Sequence, residues 1–275
     1  MRQRFVSINA AVVSLNLSVA LAAAQPLLTP GMQSRQIVVH AAETAEKQLA
    51  IANQLALHAG GEATEQDRLD GIAEAWTNYE IISKVWPDDA DAVVLAALGQ
   101  HSLAFRANLR GAAVSALANA LPAAKKTRYE PEVEEKLAMA YENVGRAVDA
   151  EEHYLAAERS LHRSKADVVR AASVLGNVGR FYAHHGAARD AIKYFKAGAD
   201  WPGQSPVARI QFQLQIAKYG AKLSDDPDQL VPKTALSAAD QLISEYRGKA
   251  SGHGEAEALE TVAREAKLLR TRLGL

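Results

Sequence analysis

The sequence predicts an all-α fold built from repeated pairs of antiparallel helices. Alanine, the strongest helix former, is abundant in nearly every segment. No stretch alternates apolar and polar residues over a useful strand length, and one small-large-small pattern recurs along the chain. With 48% hydrophobic and 23% charged residues, the composition is that of a folded soluble protein, so wholesale disorder is not expected.

The recurring pattern has a small residue, a large residue four positions later and a mostly small residue at the seventh position. These positions share one helix face. The spacing is 38, 37 and 41 residues between successive first residues, which are Ala75, Ala113, Ala150 and Ala191. We therefore expect each to mark the second helix of a repeated pair.

The first helix of a pair is visible before the last two of these positions. Apolar stripes run over 137–141 and 175–182, and they end at Gly145 and Gly186. Glycine at such a position can adopt the left-handed conformation that caps a helix. The small residues Ala138 and Gly179 predict that the two helices of each pair approach closely.

These residues resemble the tetratricopeptide repeat family. Residues 134–162 match its pattern well, residues 175–202 match with Gly198 where alanine is usual, and residues 90–122 match loosely. The resemblance covers about 67–202 and implies helix pairs stacked into a right-handed α-solenoid. The spacing exceeds the family period of about 34 residues, which predicts lengthened helices. The residues that carry the best match are Leu137, Ala138, Tyr141, Gly145, Ala150, Tyr154 and Ala157.

The flanking segments are also predicted to be helical, and all nine prolines are expected outside helix interiors. The last predicted helix has a polar face, which is typical of the capping helix that a stack of repeats needs. We expect a signal peptide at 1–24, a short linker at 25–32, repeats over 33–202 and C-terminal helices over 203–275. The flanking helices are predicted at 33–58, 65–86, 207–223, 235–247 and 254–273.

The N-terminus is typical of a secretory signal. Arg2 and Arg4 precede an uncharged, mainly apolar stretch that ends in alanines before Gln25. We predict cleavage near Ala24 and Gln25 and a periplasmic or extracellular mature chain. The alternative is an uncleaved membrane anchor, for which several serines and asparagines make the stretch poorly apolar.

The net charge and the cysteine content argue against nucleic-acid binding and against cysteine chemistry. The net charge of −1 lacks the basic excess of a nucleic-acid binder. The absence of cysteine excludes disulfides and thiolate metal sites. We expect no cofactor, no metal and no small-molecule substrate.

The sequence contains none of the familiar catalytic motifs. His184 and His185 are adjacent, so they point to different sides of a helix and are interpreted as turn residues. Adjacent acidic pairs such as 134–135 and 151–152 are interpreted as solvated faces. We expect Trp76, Trp86 and Trp201 to pack in the core or between units rather than to stack on sugars.

The resemblance implies a binding surface formed by the first helix of each unit. Glu132, Glu135 and Glu142 are expected on the side of the helix opposite the stripe of Leu137 and Tyr141, either as a partner surface or as an ordinary solvated face. The implied function is an exported scaffold or adaptor for protein or peptide partners in the bacterial cell envelope. The alternative is an enzyme, or an accessory subunit, of an envelope polysaccharide or cell-wall system. The candidate partner-binding residues are Glu132, Glu135, Met139, Glu142, Asn143, Asn177, Arg180 and His184.

Overall fold

The structure is a computed structural model that describes residues 41–61, 64–226, 228–249 and 253–275. Over these ranges the regular structure is helical throughout, which confirms the predicted all-α class. The predicted signal peptide, the linker and the start of the first predicted helix lie outside the described residues. In chain order the helices are α1 Ala45–His58, α2 Glu65–Val85, α3 Ala90–Arg106, α4 Arg110–Ala124, α5 Glu130–Asn143, α6 Ala147–Arg163, α7 Val168–His184, α8 Ala188–Ala199, α9 Pro206–Gly220, α10 Leu230–Arg247 and α11 His253–Leu273.

Side-chain caps fix where many of these helices begin. An oxygen of the capping side chain accepts a hydrogen bond from the backbone N–H three residues later, which satisfies a donor that the helix itself leaves without a partner. Threonine, aspartate and serine are among the residue types preferred at this position. The residues that cap in this way are Thr44, Thr64, Asp89, Asp167 and Ser205.

One type of turn recurs between consecutive helices of the chain. In each case the backbone N–H at the end of the turn donates to the carbonyl five residues earlier, which closes the preceding helix. The residue directly before that donor has a positive φ, which is 57° at Asn108, 77° at Gly145 and 78° at Gly186. The prediction of left-handed caps at the two glycines is confirmed. Leu109 donates to Ala104, Arg146 to Tyr141 and Ala187 to Tyr182, and Ala166 donates to Leu161 in the same way after Lys165, whose φ is 51°.

The chain divides into two compact units, Met1–Ala147 and Val148–Leu275. In the first unit, α1 pairs with α2, α3 pairs with α4, and α5 packs on α4. Trp76, Tyr79 and Ile82 join Leu103 in one buried cluster, and Leu117 joins Leu137 in a second. Trp76 is therefore a core residue, as predicted.

A buried polar contact fixes the register of the first helix pair. Gln48 is fully buried, and its amide nitrogen donates to Oδ1 of Asn78 at 2.7 Å. The amide oxygen of Gln48 accepts from the backbone N–H of Ala42 at 2.8 Å. Because both ends of Gln48 are satisfied, this pairing specifies one alignment of α1 against α2.

In the second unit, α7 pairs with α8, α9 packs on both α8 and α10, and α11 packs on α9 and α10. The core contains Phe195, Ile210, Phe212 and Leu236. From α6, Tyr154 lies 5.2 Å from Phe181 of α7 between ring centroids. Each unit is thus a stack of packed helices, with two apolar clusters in the first unit and one in the second.

Pro122 corrects the expectation that every proline lies outside a helix interior. It lies within α4, two residues before the helix ends at Ala124. Proline removes the hydrogen bond that its N–H would donate to the carbonyl of Ala118. Because Ala118 is exposed, water can take that donor's place, and the cost is confined to the last turn.

Candidate functional site

The predicted partner-binding residues of α5 differ in accessibility. Asn143 is exposed, and Glu132, Met139 and Glu142 are partly exposed. Glu135, in contrast, has no solvent-accessible surface. A partner therefore has no access to the Glu135 side chain in this structure, which corrects its assignment to an open groove.

The burial of Glu135 has a physical reason that the sequence pattern hides. The predicted stripe identifies only the face of α5 that packs on its partner helix. The structure buries α5 around most of its circumference, since Val133, Glu134, Leu137 and Ala138 are buried as well as Glu135. A charged residue on the flank of such a helix is covered although it does not belong to the apolar stripe.

On α7 the predicted residues also separate into two groups. Arg180 and His184 are exposed, whereas Asn177 is buried with 8% of its surface accessible. Asn177 thus lies on the packed side of α7. The adjacent His185 is held at the turn, where its Nδ1 lies 2.8 Å from the carbonyl oxygen of Phe181, as expected of a turn residue.

Arg180 lines a groove between the first helices of two successive pairs in the second unit. This α7–α9 groove has a volume of about 440 Å³. Ser173, Gly176 and Arg180 face it from α7, at spacings that share one side of a helix. Across the groove, α9 contributes Gln211 and Gln215, which are one turn apart.

The floor of the α7–α9 groove is apolar and its edges are polar. Phe195 and Phe212 form part of the floor. Glu265 of α11 adds a negative charge, whereas Arg180 carries a positive one. Gln211, Gln215 and Glu265 are not among the partner-binding residues predicted from the sequence. A signal was present, because the two glutamines recur at i, i+4 beside the buried positions of Ile210 and Leu214.

In the first unit, Asn143 lines a smaller cavity of about 180 Å³ at the C-terminal ends of α3 and α5. We call this cavity the α3–α5 pocket. Its lining residues are His101, Phe105, Asn108, Arg110, Ala113, Ala140 and Asn143.

A wider cleft of about 630 Å³ lies among α2, α3 and α4 of the first unit. Trp76 and Tyr79 of α2 and several alanines of α4 line it. The pKa of Tyr79 is raised because burial disfavours the phenolate. The lining also includes Glu80, Ser83 and Lys84 of α2, and Lys84 forms an ion pair with Glu80 at 2.6 Å.

Two tyrosines form a stacked pair in the second unit. The rings of Tyr182 and Tyr194 are nearly parallel with centroids 5.5 Å apart, and the Tyr182 hydroxyl donates to Glu151 at 2.8 Å. Burial, and then the hydrogen bond and charge of Glu151, raise the pKa of Tyr182. Both phenols therefore stay protonated at neutral pH, so this pair is a packing and hydrogen-bonding feature.

The other aromatic residues singled out from the sequence are also used for packing. Trp86 caps α2 and packs against the first core, and the Trp201 ring lies 4.7 Å from that of His162. Within the described ranges, no group of three or more histidine, aspartate or glutamate residues is placed to hold a metal ion. Of the helices described between residues 45 and 273, none is both long and apolar enough to cross a membrane.

No protein-family model matches the chain, and no curated protein matches it. Among solved structures, it is similar to BtubC (BKLC) from P. vanneervenii with 15% identity and a TM-score of 0.49, covering 75% of this chain and 94% of that one. A TPR repeats protein from Bacteroides fragilis has 13% identity and a TM-score of 0.36 over 85% and 99% of the two chains. A de novo designed helical repeat protein has 16% identity and a TM-score of 0.19 over 84% and 94%. We assign the helical-repeat fold from the helix pairs and recurring turns of this chain itself.

Proposed function

We propose that the protein is an exported helical-repeat scaffold or adaptor that binds protein or peptide partners in the bacterial cell envelope. The observation that carries this proposal is the α7–α9 groove, an open and polar-edged surface between first helices. Helical repeats commonly present such surfaces to extended partners, which is an argument from fold.

The chemistry of the groove suits an extended peptide. Each amide side chain of Gln211 and Gln215 offers both a donor and an acceptor, as a peptide backbone does. Arg180 and Glu265 add one charge of each sign, which favours a partner segment of mixed charge. In the first unit, the exposed Asn143 and the partly exposed Glu132 and Glu142 of α5 form a separate candidate surface.

Export is supported by the N-terminal sequence from Arg2 to Ala24. Mass analysis of the protein recovered from the envelope fraction tests it, and we expect a chain that begins near Gln25. An intact Met1 in the membrane pellet would contradict cleavage and favour an anchor.

Differential capture tests the binding proposal. Purified protein, Arg180→Gln and Lys196→Gln serve as baits for envelope extract, followed by mass spectrometry. Lys196 is an exposed lysine of α8 that does not line the groove, so it is a matched control. Loss of a charge-assisted hydrogen bond should weaken partner capture about tenfold or more in Arg180→Gln but not in Lys196→Gln.

The same preparation separates the proposal from an enzymatic role. Turnover of isolated envelope glycan by the purified protein, with partner capture equal in all three baits, would contradict the scaffold assignment. A synthetic peptide from the captured partner should then reproduce the Arg180 dependence in a direct binding measurement.

A further inference from the structure

The cleft among α2, α3 and α4 of the first unit is large enough to hold a small molecule, and we call it the α2–α4 cleft. Its volume of about 630 Å³ falls within the range of about 300–1,000 Å³ that is typical of ligand sites. Helix α3 packs on both α2 and α4, and all three helices contribute side chains to the lining. The cleft belongs to the first unit, whereas the α7–α9 groove belongs to the second.

Much of the lining of the α2–α4 cleft is small and apolar. Trp76 and Tyr79 of α2 add aromatic surface. Short side chains leave the space between the helices open, and a ligand that covers them removes apolar surface from water. The small apolar residues of α3 and α4 that line the cleft are Val93, Ala96, Ala97, Ala112, Ala116 and Ala120.

The indole N–H of Trp76 is a hydrogen-bond donor that the chain itself does not use. Trp76 is 9% exposed, and within the described residues its N–H donates to no protein atom. The other aromatic side chain of the cleft differs, since the Tyr79 hydroxyl donates to Oδ1 of Asn53 at 2.6 Å. A buried tryptophan usually finds an acceptor for its N–H. Because Trp76 lines the cleft, a ligand bound there can supply that acceptor.

Two amide side chains at the cleft are also available for hydrogen bonding. Gln100 of α3 and Asn119 of α4 line the cleft, and neither makes a hydrogen bond to the described part of the chain. Each amide offers two N–H donors and a carbonyl acceptor. These groups can therefore bind polar substituents at the edge of a ligand whose ring system lies deeper in the cleft.

Gly111 lines the α2–α4 cleft without a packing reason of its own. It is the second residue of α4, and a Cβ atom added there would meet nothing within 4 Å. Gly99 of α3 differs, because a Cβ there would collide with the Tyr79 ring. Glycine is less favourable than alanine in a helix, but it lets another molecule approach the backbone closely. The glycine at 111 thus leaves room for a ligand rather than for a neighbouring helix.

The charged groups of the cleft are engaged by the protein. Lys84 pairs with Glu80 at 2.6 Å, and Arg110 Nη1 donates to the backbone carbonyl of Asn143 at 2.8 Å. The lining that the structure describes contains no other charged side chain. Because burying a further charge costs free energy unless that charge is paired, the cleft favours an uncharged ligand.

We propose that the α2–α4 cleft binds an uncharged small molecule that has an aromatic ring system and a hydrogen-bond acceptor. The acceptor takes the Trp76 N–H, and the ring system packs on the indole and on the alanines of α3 and α4. This site adds small-molecule binding to the scaffold role and does not depend on the identity of a protein partner.

Quinoline and naphthalene are a matched pair of probes for this site. They have the same two fused rings, but only quinoline has a ring nitrogen that accepts a hydrogen bond, and it is uncharged at neutral pH. 2-Naphthoate is the anionic counterpart. The purified protein is titrated with each probe at neutral pH, and the indole N–H resonance of Trp76, assigned by comparison with Trp76→Phe, is followed by NMR.

We expect quinoline to shift the Trp76 indole resonance downfield and to bind about threefold or more tightly than naphthalene, because only quinoline accepts the indole N–H. Trp76→Phe keeps a ring but loses the donor. Followed through the backbone amide of Gly111, this variant should bind the two probes equally.

A second variant tests the position of the ligand without changing Trp76. Gly111→Leu places a side chain in open space of the cleft and should abolish the binding of both neutral probes. Ala118→Leu adds the same side chain to an exposed position of α4 that does not line the cleft, so it should leave binding unchanged. Circular dichroism establishes that each variant is folded.

Equal affinities of the unmodified protein for quinoline and naphthalene, or a preference for quinoline that persists in Trp76→Phe, would overturn the role of the indole N–H. Binding that is unaffected by Gly111→Leu, or no response to any probe, would overturn the site. Tighter binding of 2-naphthoate than of quinoline would overturn the uncharged ligand class. These outcomes are independent of partner capture through Arg180, so the proposed function and this site fail by different results.

Discussion

The Phe195 ring lies directly against Gly179, so that a Cβ atom added at Gly179 would come within 2.5 Å of Phe195 Cε1. Gly179 is the small residue of α7 and Phe195 is the large residue of α8 in the repeat pattern. Their contact packs α7 against α8 at close distance. The absence of a side chain at 179 is therefore a packing requirement, although the residue lies within a helix where glycine is otherwise unfavourable.

Gly179→Ala is predicted to destabilise the fold by roughly 1–3 kcal/mol, because the added methyl forces the Phe195 ring and α8 to move. Gly176→Ala, one turn earlier on α7, is the matched control. A Cβ there would meet Phe212 at an ordinary 3.8 Å, so the better helix propensity of alanine should make this variant neutral or stabilised by up to about 1 kcal/mol. Chemical denaturation of both variants measures the difference, and the reverse ranking would contradict the closure of α7 on α8.

Buried alanines of the second helices are predicted to be equally intolerant of size. Ala150 and Ala191 have no accessible surface, whereas Ala118 is exposed on α4. Leucine at either buried position should destabilise by roughly 1–3 kcal/mol, and Ala118→Leu should have a smaller effect. Thermal melts provide the ranking, and greatest sensitivity at Ala118 would mean that the repeat register is wrong.

The repeat itself was predictable from sequence because it depends on local signals. Size alternation at helical spacing predicted which faces of α5 to α8 are buried, and the two turn glycines predicted where those pairs close. Gly198 departs from the family's alanine for a packing reason that the local pattern does not show, because Phe212 of the next helix occupies the space of its missing side chain.

The candidate site was predicted only in part, because it depends on which helices meet. Arg180 and Asn143 do line cavities, but Glu135 is buried on a flank of α5 that the stripe does not reveal. His101 and Arg110 belong to residues 90–122, the helix pair with the loosest match to the repeat pattern. Their convergence with Asn143 requires the packing of α5 beside α3 and α4, which no single helix encodes.

The buried pair of Gln48 and Asn78 is predicted to be worth more for register than for stability. Asn78→Leu leaves the buried amide of Gln48 without its acceptor, which should cost roughly 1–3 kcal/mol. Adding Gln48→Met removes the amide donor that has lost its acceptor, so the double variant should recover most of the lost free energy of unfolding. A double-mutant cycle in denaturant measures the coupling between the two sites. Additive losses would show that the two amides do not act as a pair.

The last prediction concerns the acid dependence of stability that His101 creates. Its pKa in the folded protein is about 4, below the ordinary histidine value of 6.5, because burial and Lys136 disfavour the charged imidazole. Between these two pH values the unfolded chain binds a proton that the folded chain does not. The free energy of unfolding is therefore fully retained above pH 6.5 and falls as the pH drops towards 4. Since His101 is only partly buried, we expect its contribution to be roughly 1–3 kcal/mol rather than the full linkage value.

His101→Ala isolates this contribution, because alanine or glycine occupies the position five residues before the helix end in α5 and α7. The variant's free energy of unfolding, measured by denaturation at successive pH values, should fall less steeply between pH 6.5 and 4 than that of the unmodified protein. His58→Ala, which removes an exposed histidine of the same unit, is measured in parallel as the control for loss of a histidine elsewhere in the unit. The comparison depends on the slopes and not on the absolute stabilities, so a packing change at position 101 does not obscure it. Parallel profiles for the unmodified protein and His101→Ala would mean that His101 is solvated in the folded state.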